Sequence, residues 1–324
     1  MGMGHGSSAH ELRLASGKGD LETVKFLTEE KQLDPLQEDK DGRNAIYCAA
    51  KRGQVSVLKY FIEEQGHNPA TRCSTGRRAG RTPLHVAAEF NRLELVQYLI
   101  TEQHVDPMCQ AEDGNTPLHA ACRHDNNLDV VIYLVNAMSQ HLPLKDVVSC
   151  QGRDGRTPLH TAALCGQLKI VKYFISELKC DPNIVQTGEH HGRTTVGGGR
   201  IALHHAAQRG HLHVMKFLIE DQHCDPSHCD YEKDTPLHLT AERGHLSVVQ
   251  YLTLEQHCDP LCTSKNNTPL HRAALRGQLQ VVQFMIETLH CPPDIRGLNN
   301  VTPLDKARRR GHHHVVKYLE SIMS

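Results

Sequence analysis

Histidine and cysteine are the residues of this chain most capable of chemistry. There are 25 of the first and 12 of the second, and some recur together. His223-Cys224, His257-Cys258 and His290-Cys291 follow one another at steps of 34 and 33 residues. Imidazole and thiolate are zinc ligands, so a row of such pairs is a conceivable metal ladder and a metal-binding protein is one reading. Two ligands of one zinc sit within about 4 Å of each other. Equivalent positions in stacked helical units are about 8–10 Å apart, and no Cys-x-x-Cys occurs. The cysteines read better as fillers of a small buried slot. No metal site and no cofactor is expected, and the run His312–His314 adds only weak affinity for added nickel or zinc.

Two other chemistries are tested by the same logic. The stretch Gly192–Arg200, with Gly197-Gly198-Gly199, invites a phosphate-loop reading. It lacks the Gly-Lys-Ser/Thr ending and the preceding strand that such a loop needs. Its Gly192-Arg193-Thr194-Thr195-Val196 instead mimics the opening of a repeat. Ser, His and Asp all occur, but none at a sharp strand-to-helix turn that would present a nucleophile. Catalysis is not expected, and no catalytic residue is assigned.

The period of the His-Cys pairs leads back to the elements that carry them. Thr-Pro-Leu-His stands at Thr82–His85, Thr116–His119, Thr157–His160, Thr235–His238 and Thr268–His271, with altered copies at Ile201–His204 and Thr302–Asp305. The steps are 34, 41, 44, 34, 33 and 34 residues, the mark of a stacked-repeat array. In the unit Asp234–Pro260, Thr235 is a good N-cap and Pro236 suits the first helical position. His238 falls where a capping-box side chain reaches back. Leu237 and Ala241 suit close helix contact, and Gly244 can end the helix in the left-handed conformation. A second helix is predicted from about Leu246, with Leu246, Val248, Val249 and Leu252 inward and Ser247 and Gln250 outward. Pro260 then breaks the helix before a polar connection.

These residues resemble the ankyrin repeat family. The Ala-Ala pairs (Ala87-Ala88, Ala162-Ala163, Ala206-Ala207, Ala273-Ala274) and the Gly-His-Leu turns (Gly210–Leu212, Gly244–Leu246) recur in register with the tetrapeptide. One departure is steady: His-Cys-Asp-Pro at His223–Pro226 and His257–Pro260, with Lys179–Pro182 and His104–Pro107 close to it, where the family has Gly-Ala-Asp-Val. The resemblance implies an all-α ankyrin-repeat solenoid over residues 9–322, with repeats starting near 10, 44, 82, 116, 157, 201, 235, 268 and 302. Residues 1–8 are expected to be a disordered tail. Lost motifs near His10 and at Asp305, and the polar Arg308–Arg310 and His312–His314, are expected to cap the two ends. Three connections, at 70–80, 138–155 and 184–199, are longer than the rest. They carry Arg72, Arg77 and Arg78 in the first, and Gly188 and Gly192 in the third.

The resemblance also implies where a partner docks, because in this family first helices and hairpin tips line a concave face. The positions carried over give a basic C-terminal set, Arg209, Arg243, Arg272, Arg276, Lys306, Arg309 and Arg310, with only Glu242 opposing. They also give an apolar middle set of Val86, Phe90, Leu164 and Leu239, of which Phe90 is the best anchor, since aromatics dominate interface energies. A basic groove suggests an acidic or phosphorylated protein segment as partner.

Composition bounds the rest. Net charge is −1, aromatics are 4 % and Trp is absent, which argues against nucleic acid as partner. No apolar run approaches a membrane span, and the first residues form no signal peptide. Gly6 stands where a myristoylation site needs Ser or Thr. Reduced cysteines and a cytoplasmic location follow, with the nucleus as second compartment. The expected molecule is a monomeric scaffold or adaptor. The alternative is a sensor or regulatory segment of a larger signalling or membrane protein.

Overall fold

The computed structural model describes residues 5–75, 79–187, 189–190, 193–194 and 197–324, with the backbone alone at 5–7, 125, 189–190 and 193–194. Arg77, Arg78, Gly188, Gly192, Thr195 and Val196 lie outside the described residues. Two compact units follow one another, residues 1–158 and residues 159–324. Each is a succession of short helix pairs, with inner helices stacked on inner helices and outer on outer.

The unit beginning at Thr235 shows how local chemistry builds the pair. The Thr235 N–H donates to His238 Nδ1 at 3.3 Å, and the His238 N–H returns to Thr235 Oγ1 at 3.4 Å. This reciprocal cap opens the inner helix Pro236–Arg243, which Gly244 ends at φ +81°. Leu237 and Ala241 are buried. The outer helix Leu246–Gln250 continues as a π-wound turn, Tyr251–Glu255, whose last bond runs from the Gln256 N–H to the Tyr251 carbonyl at 3.1 Å. Val248, Val249 and Leu252 are buried, while Ser247 and Gln250 are exposed. At Ile201 no hydroxyl is available, so only half the cap survives, the Ile201 N–H donating to His204 Nδ1 at 3.4 Å.

The His-Cys-Asp-Pro turn has a clear construction. His257 takes φ +53° and His223 φ +54°, a left-handed conformation that costs an L-residue roughly 1–2 kcal/mol. It lets the Cys258 N–H close on the Leu252 carbonyl at 2.9 Å, as Cys224 does on Leu218. Asp259 Oδ1 then accepts from the Leu261 N–H at 2.8 Å, holding the chain beyond Pro260. Cys224, Cys258 and Cys291 are all buried.

Outer helices are joined by a ladder that the motif reading passes over. Tyr60, Tyr98, Tyr251 and Tyr318 each donate to a glutamate of the preceding repeat, Glu29, Glu63, Glu220 and Glu287, at 2.7–3.0 Å. Lys25, Lys59 and Lys216 lie over three of these rings, each 4.9 Å from the centroid.

Several expectations change. The first helix spans His5–Lys18, so helix takes residues 5–8 of the tail expected over 1–8, residues 1–4 lying outside the described residues. Helix propagates cheaply from a nucleus already packed at Leu12 and Ala15. His313 and His314 are exposed and His312 is half-buried at the last turn, and two of them also bond backwards. The Nε2 atoms of His312 and His314 reach back to the carbonyls of Leu275 and Gly277 at 3.1 and 2.9 Å. The connection at 138–155 contains a further helix, Leu144–Ser149, anchored by buried Val147. Glu189–His190 and Arg193–Thr194 pair as a two-residue antiparallel hairpin within the third connection. In the first, Glu38 accepts from the Ser74 and Thr75 hydroxyls at 2.9 and 2.7 Å.

Candidate functional site

In the second unit, four successive inner helices end in arginine: Arg209, Arg243, Arg276 and Arg310, each followed by glycine. All four side chains are exposed. A cation in the last helical turn is favoured by the helix dipole. That accounts for the residue type but leaves the charge available to a ligand. Among the described residues Arg209, Arg243, Lys306, Arg309 and Arg310 make no ion pair. Burial, with Arg309 and Arg272 nearby, holds the Lys306 ammonium below its ordinary pKa.

The other two expected cations are neutralised. Arg272 donates to Asp234 at 2.6 Å and to Glu242 at 3.4 Å, and Arg276 grips Glu242 through Nε at 3.0 Å and Nη2 at 2.7 Å. Asp234 therefore opposes the basic set as well as Glu242, against the expectation that Glu242 stood alone. Beside Arg272 and Lys306 lies an open depression of about 210 Å³, edged by Glu232, Lys265, His271 and Leu275.

The apolar middle set does not form a contact surface. Leu239 is 5 % exposed and Val86 is 1 % exposed. At these two positions the residue after the motif histidine packs among the inner helices instead of opening outward, which corrects the assignment of Leu239. Leu164 is half-buried. Phe90, in the first unit, is half-buried too, stacked with His124 at 6.0 Å between centroids, with Lys51 Nζ 4.9 Å from its ring.

The histidines and cysteines have a structural arrangement that could be mistaken for a nucleophile pair. Cys109 Sγ lies 3.9 Å from His85 Nδ1 and 3.7 Å from Thr82 Oγ1, and Cys262 stands likewise beside His238 and Thr235. Burial pushes the Cys109 thiol up to about 11 and the His85 imidazole down to about 4. Both are neutral near pH 7, so no thiolate–imidazolium pair is present to attack a substrate. The Nδ1 of His85, His119, His204, His238 and His271 accepts from its cap, and Nε2 donates forward to the next connection. His85 reaches the Asn115 carbonyl at 3.0 Å, and His204 the Asp234 carbonyl at 3.2 Å. Among the described residues no three His, Cys, Asp or Glu converge as metal ligands, and no helix is long and apolar enough to cross a membrane.

One basic surface was only half marked by the motif reading, which carried Lys51 and Arg52 to the concave face but not Arg13 or Lys18. It lies in the first unit between the helices His5–Lys18 and Ala45–Arg52. The signal was present in Arg13, Lys18, Lys51 and Arg52, but Arg13 and Lys18 sit in a repeat that has lost the tetrapeptide.

Comparison with known proteins places the repeats among relatives. The sequence matches the family model described as Ankyrin repeats (3 copies) over residues 12–111, 91–186, 186–264 and 252–321. It is 26 % identical over 124 residues to the human transient receptor potential cation channel subfamily A member 1, covering 38 % of this chain and 11 % of that protein. It is 32 % identical over 128 residues to palmitoyltransferase AKR1 of Debaryomyces hansenii, covering 40 % of this chain and 15 % of that protein. The matched region is thus a small part of each relative.

Proposed function

The chain belongs to the ankyrin-repeat family, whose repeats are protein-interaction modules, and from that premise we propose that it is a non-catalytic scaffold or adaptor. Its partner is an acidic or phosphorylated segment of another protein, held along the inner helices of residues 201–310. The observation that carries this reading is the row of exposed arginines at successive helix ends, with Arg209, Arg243, Arg309 and Arg310 uncompensated. Guanidinium groups bind carboxylate and phosphate in a planar, bidentate way, and a row at repeat spacing suits an extended ligand. In this reading the chain acts as a monomer in the cytoplasm, without nucleic acid, cofactor or metal.

The test is affinity capture from cell extract with wild type beside Arg209→Glu with Arg243→Glu, read by mass spectrometry. Partners lost with the double variant, at unchanged thermal midpoint, support the reading. An identical partner set from both proteins sinks it. A second reading, that these repeats are the sensor or regulatory segment of a larger signalling or membrane protein, is favoured by the length of the matched relatives. Immunoblotting the endogenous protein decides it, a band at the 36.2 kDa of this chain excluding the larger protein.

A further inference from the structure

The cleft in the first unit has a composition of its own. It holds about 580 Å³ between the inner helices His5–Lys18 and Ala45–Arg52 and the turn at Asp39–Arg43. The helices come close because Gly17 faces Cys48. A Cβ at Gly17 would already touch the Cys48 Cβ at 3.8 Å and the Arg52 Cγ at 3.9 Å. Arg13 and Lys18 line the cleft from one helix, Lys51 and Arg52 from the other.

Charge in the cleft is unbalanced. Its one carboxylate, Asp39, is committed to Arg43, accepting from Nε at 2.8 Å and from the Arg43 N–H at 2.9 Å. Arg13, Lys18, Lys51 and Arg52 make no ion pair among the described residues. Four cations with no carboxylate paired to them repel one another and focus a positive potential into the space between them, Asp20 acting on Lys18 from outside the lining. The lining also has an apolar part. Leu14 is 49 % exposed, beside buried Tyr47 and half-buried Cys48. The Cys48 thiol is pushed up by burial although Arg13, Arg43 and Lys51 all pull it down. Cations around an exposed apolar side chain are complementary to an anion that also carries hydrocarbon.

We propose that this cleft binds an acidic peptide segment of a partner protein, with one apolar side chain seated on Leu14 and Cys48 and flanking carboxylates held by Arg13, Lys18, Lys51 and Arg52. The proposal rests on the reading of the chain as a protein-binding module, but it uses a separate surface from the arginine row of the second unit. A bare phosphate would satisfy the cations and leave Leu14 in water, so the exposed Leu14 favours the peptide. Seating an apolar side chain there removes exposed hydrocarbon from solvent.

The experiment is fluorescence anisotropy near physiological salt. The probe is a short fluorescein-labelled peptide of Glu and Asp with one central Leu. Saturable binding is expected, weakened about tenfold or more by Arg13→Glu with Arg52→Glu and several-fold when Ser replaces the central Leu. Lys169→Glu with Lys317→Glu, the same charge change on exposed outer-helix positions, leaves binding intact. If the first pair unfolds the protein, Lys18→Glu with Lys51→Glu takes its place. No saturation, or equal affinity for wild type and the cleft variant, overturns the proposal. So do a Ser peptide that binds as tightly as the Leu peptide and displacement by inorganic phosphate at the peptide's own concentration. Loss only with Arg209→Glu and Arg243→Glu moves the site to the second unit, overturning the cleft while the scaffold reading stands.

Discussion

His238 and Asn267 belong to successive repeats, and the Nε2–H of the first donates to the carbonyl of the second at 3.2 Å. The same bond links His85 to Asn115, His119 to Arg156, His160 to Ile184 and His271 to Val301. The neutral ring serves as both acceptor and donor here, and a protonated ring could not accept at Nδ1 from the capping N–H.

Stability is therefore expected to fall in mild acid. Burial lowers His85 and His119 to about 4 and His204 to about 3, and lowers His238 and His271 as well. These values lie below the 6.5 of an unfolded histidine, so the unfolded chain takes up protons first. The contribution is fully present above pH 6.5 and is lost as pH falls from there towards 4. Urea midpoints at pH 7.5, 6 and 5 should drop steadily, and a flat profile across that window contradicts the assignment.

Leu237 is 1 % exposed at the centre of its repeat. Leu237→Ala should cost about 2–5 kcal/mol, the usual range for a buried truncation. Urea unfolding reads it, and a change below about 0.5 kcal/mol would place Leu237 outside the packed interior.

Asp230 is buried and accepts Arg200 Nε at 2.9 Å, while its Oδ1 takes the Glu232 and Asp234 N–H groups. Asp230→Ala leaves a buried cation alone and should cost about 3–5 kcal/mol. Arg200→Met in that background should recover part of the loss. If the double variant is no more stable than Asp230→Ala, the ion pair is not the source.

Asn127 stands immediately before its outer helix, where His211 and His245 stand in later repeats. Its Nδ2 donates to the carbonyls of Ala88, Glu89 and Ala121 at 2.9–3.1 Å. Asn127→Ala should cost about 1–3 kcal/mol by leaving buried carbonyls unpaired. Amide exchange should rise first at the end of the helix Pro117–Ala121, and uniform exchange across the first unit would deny it this local role.

What the sequence made legible was local. Thr235, His238 and Gly244 announce a cap, a bridge and a stop because each acts within a few residues of itself. Arg272 looked opposed by Glu242 alone because its other acid, Asp234, stands 38 residues earlier in sequence. Leu239 looked outward because its spacing from His238 does not reveal how closely the neighbouring helix approaches. Helix Leu144–Ser149 was hidden inside an apparent loop, since a six-residue helix has too few turns for a pattern. The cleft at Arg13 and Arg52 depends on two helices meeting across Gly17, a proximity that a worn motif conceals.

The two histidine series point in opposite directions along the chain. Motif histidines reach forward, as His204 does to Asp234, while turn histidines reach back, His211 to Leu164, His245 to Gln208 and His312 to Leu275, at 3.1 Å each. Detaching the last repeat from its neighbour thus frees the His271 imidazole from the Val301 carbonyl and returns it to water, where it regains ordinary basicity. That detachment below pH 6.5 would absorb protons. Mild acid should accordingly loosen the array first at its C-terminal edge, and a chain held under tension should yield at lower force as the pH falls from 7 to 5.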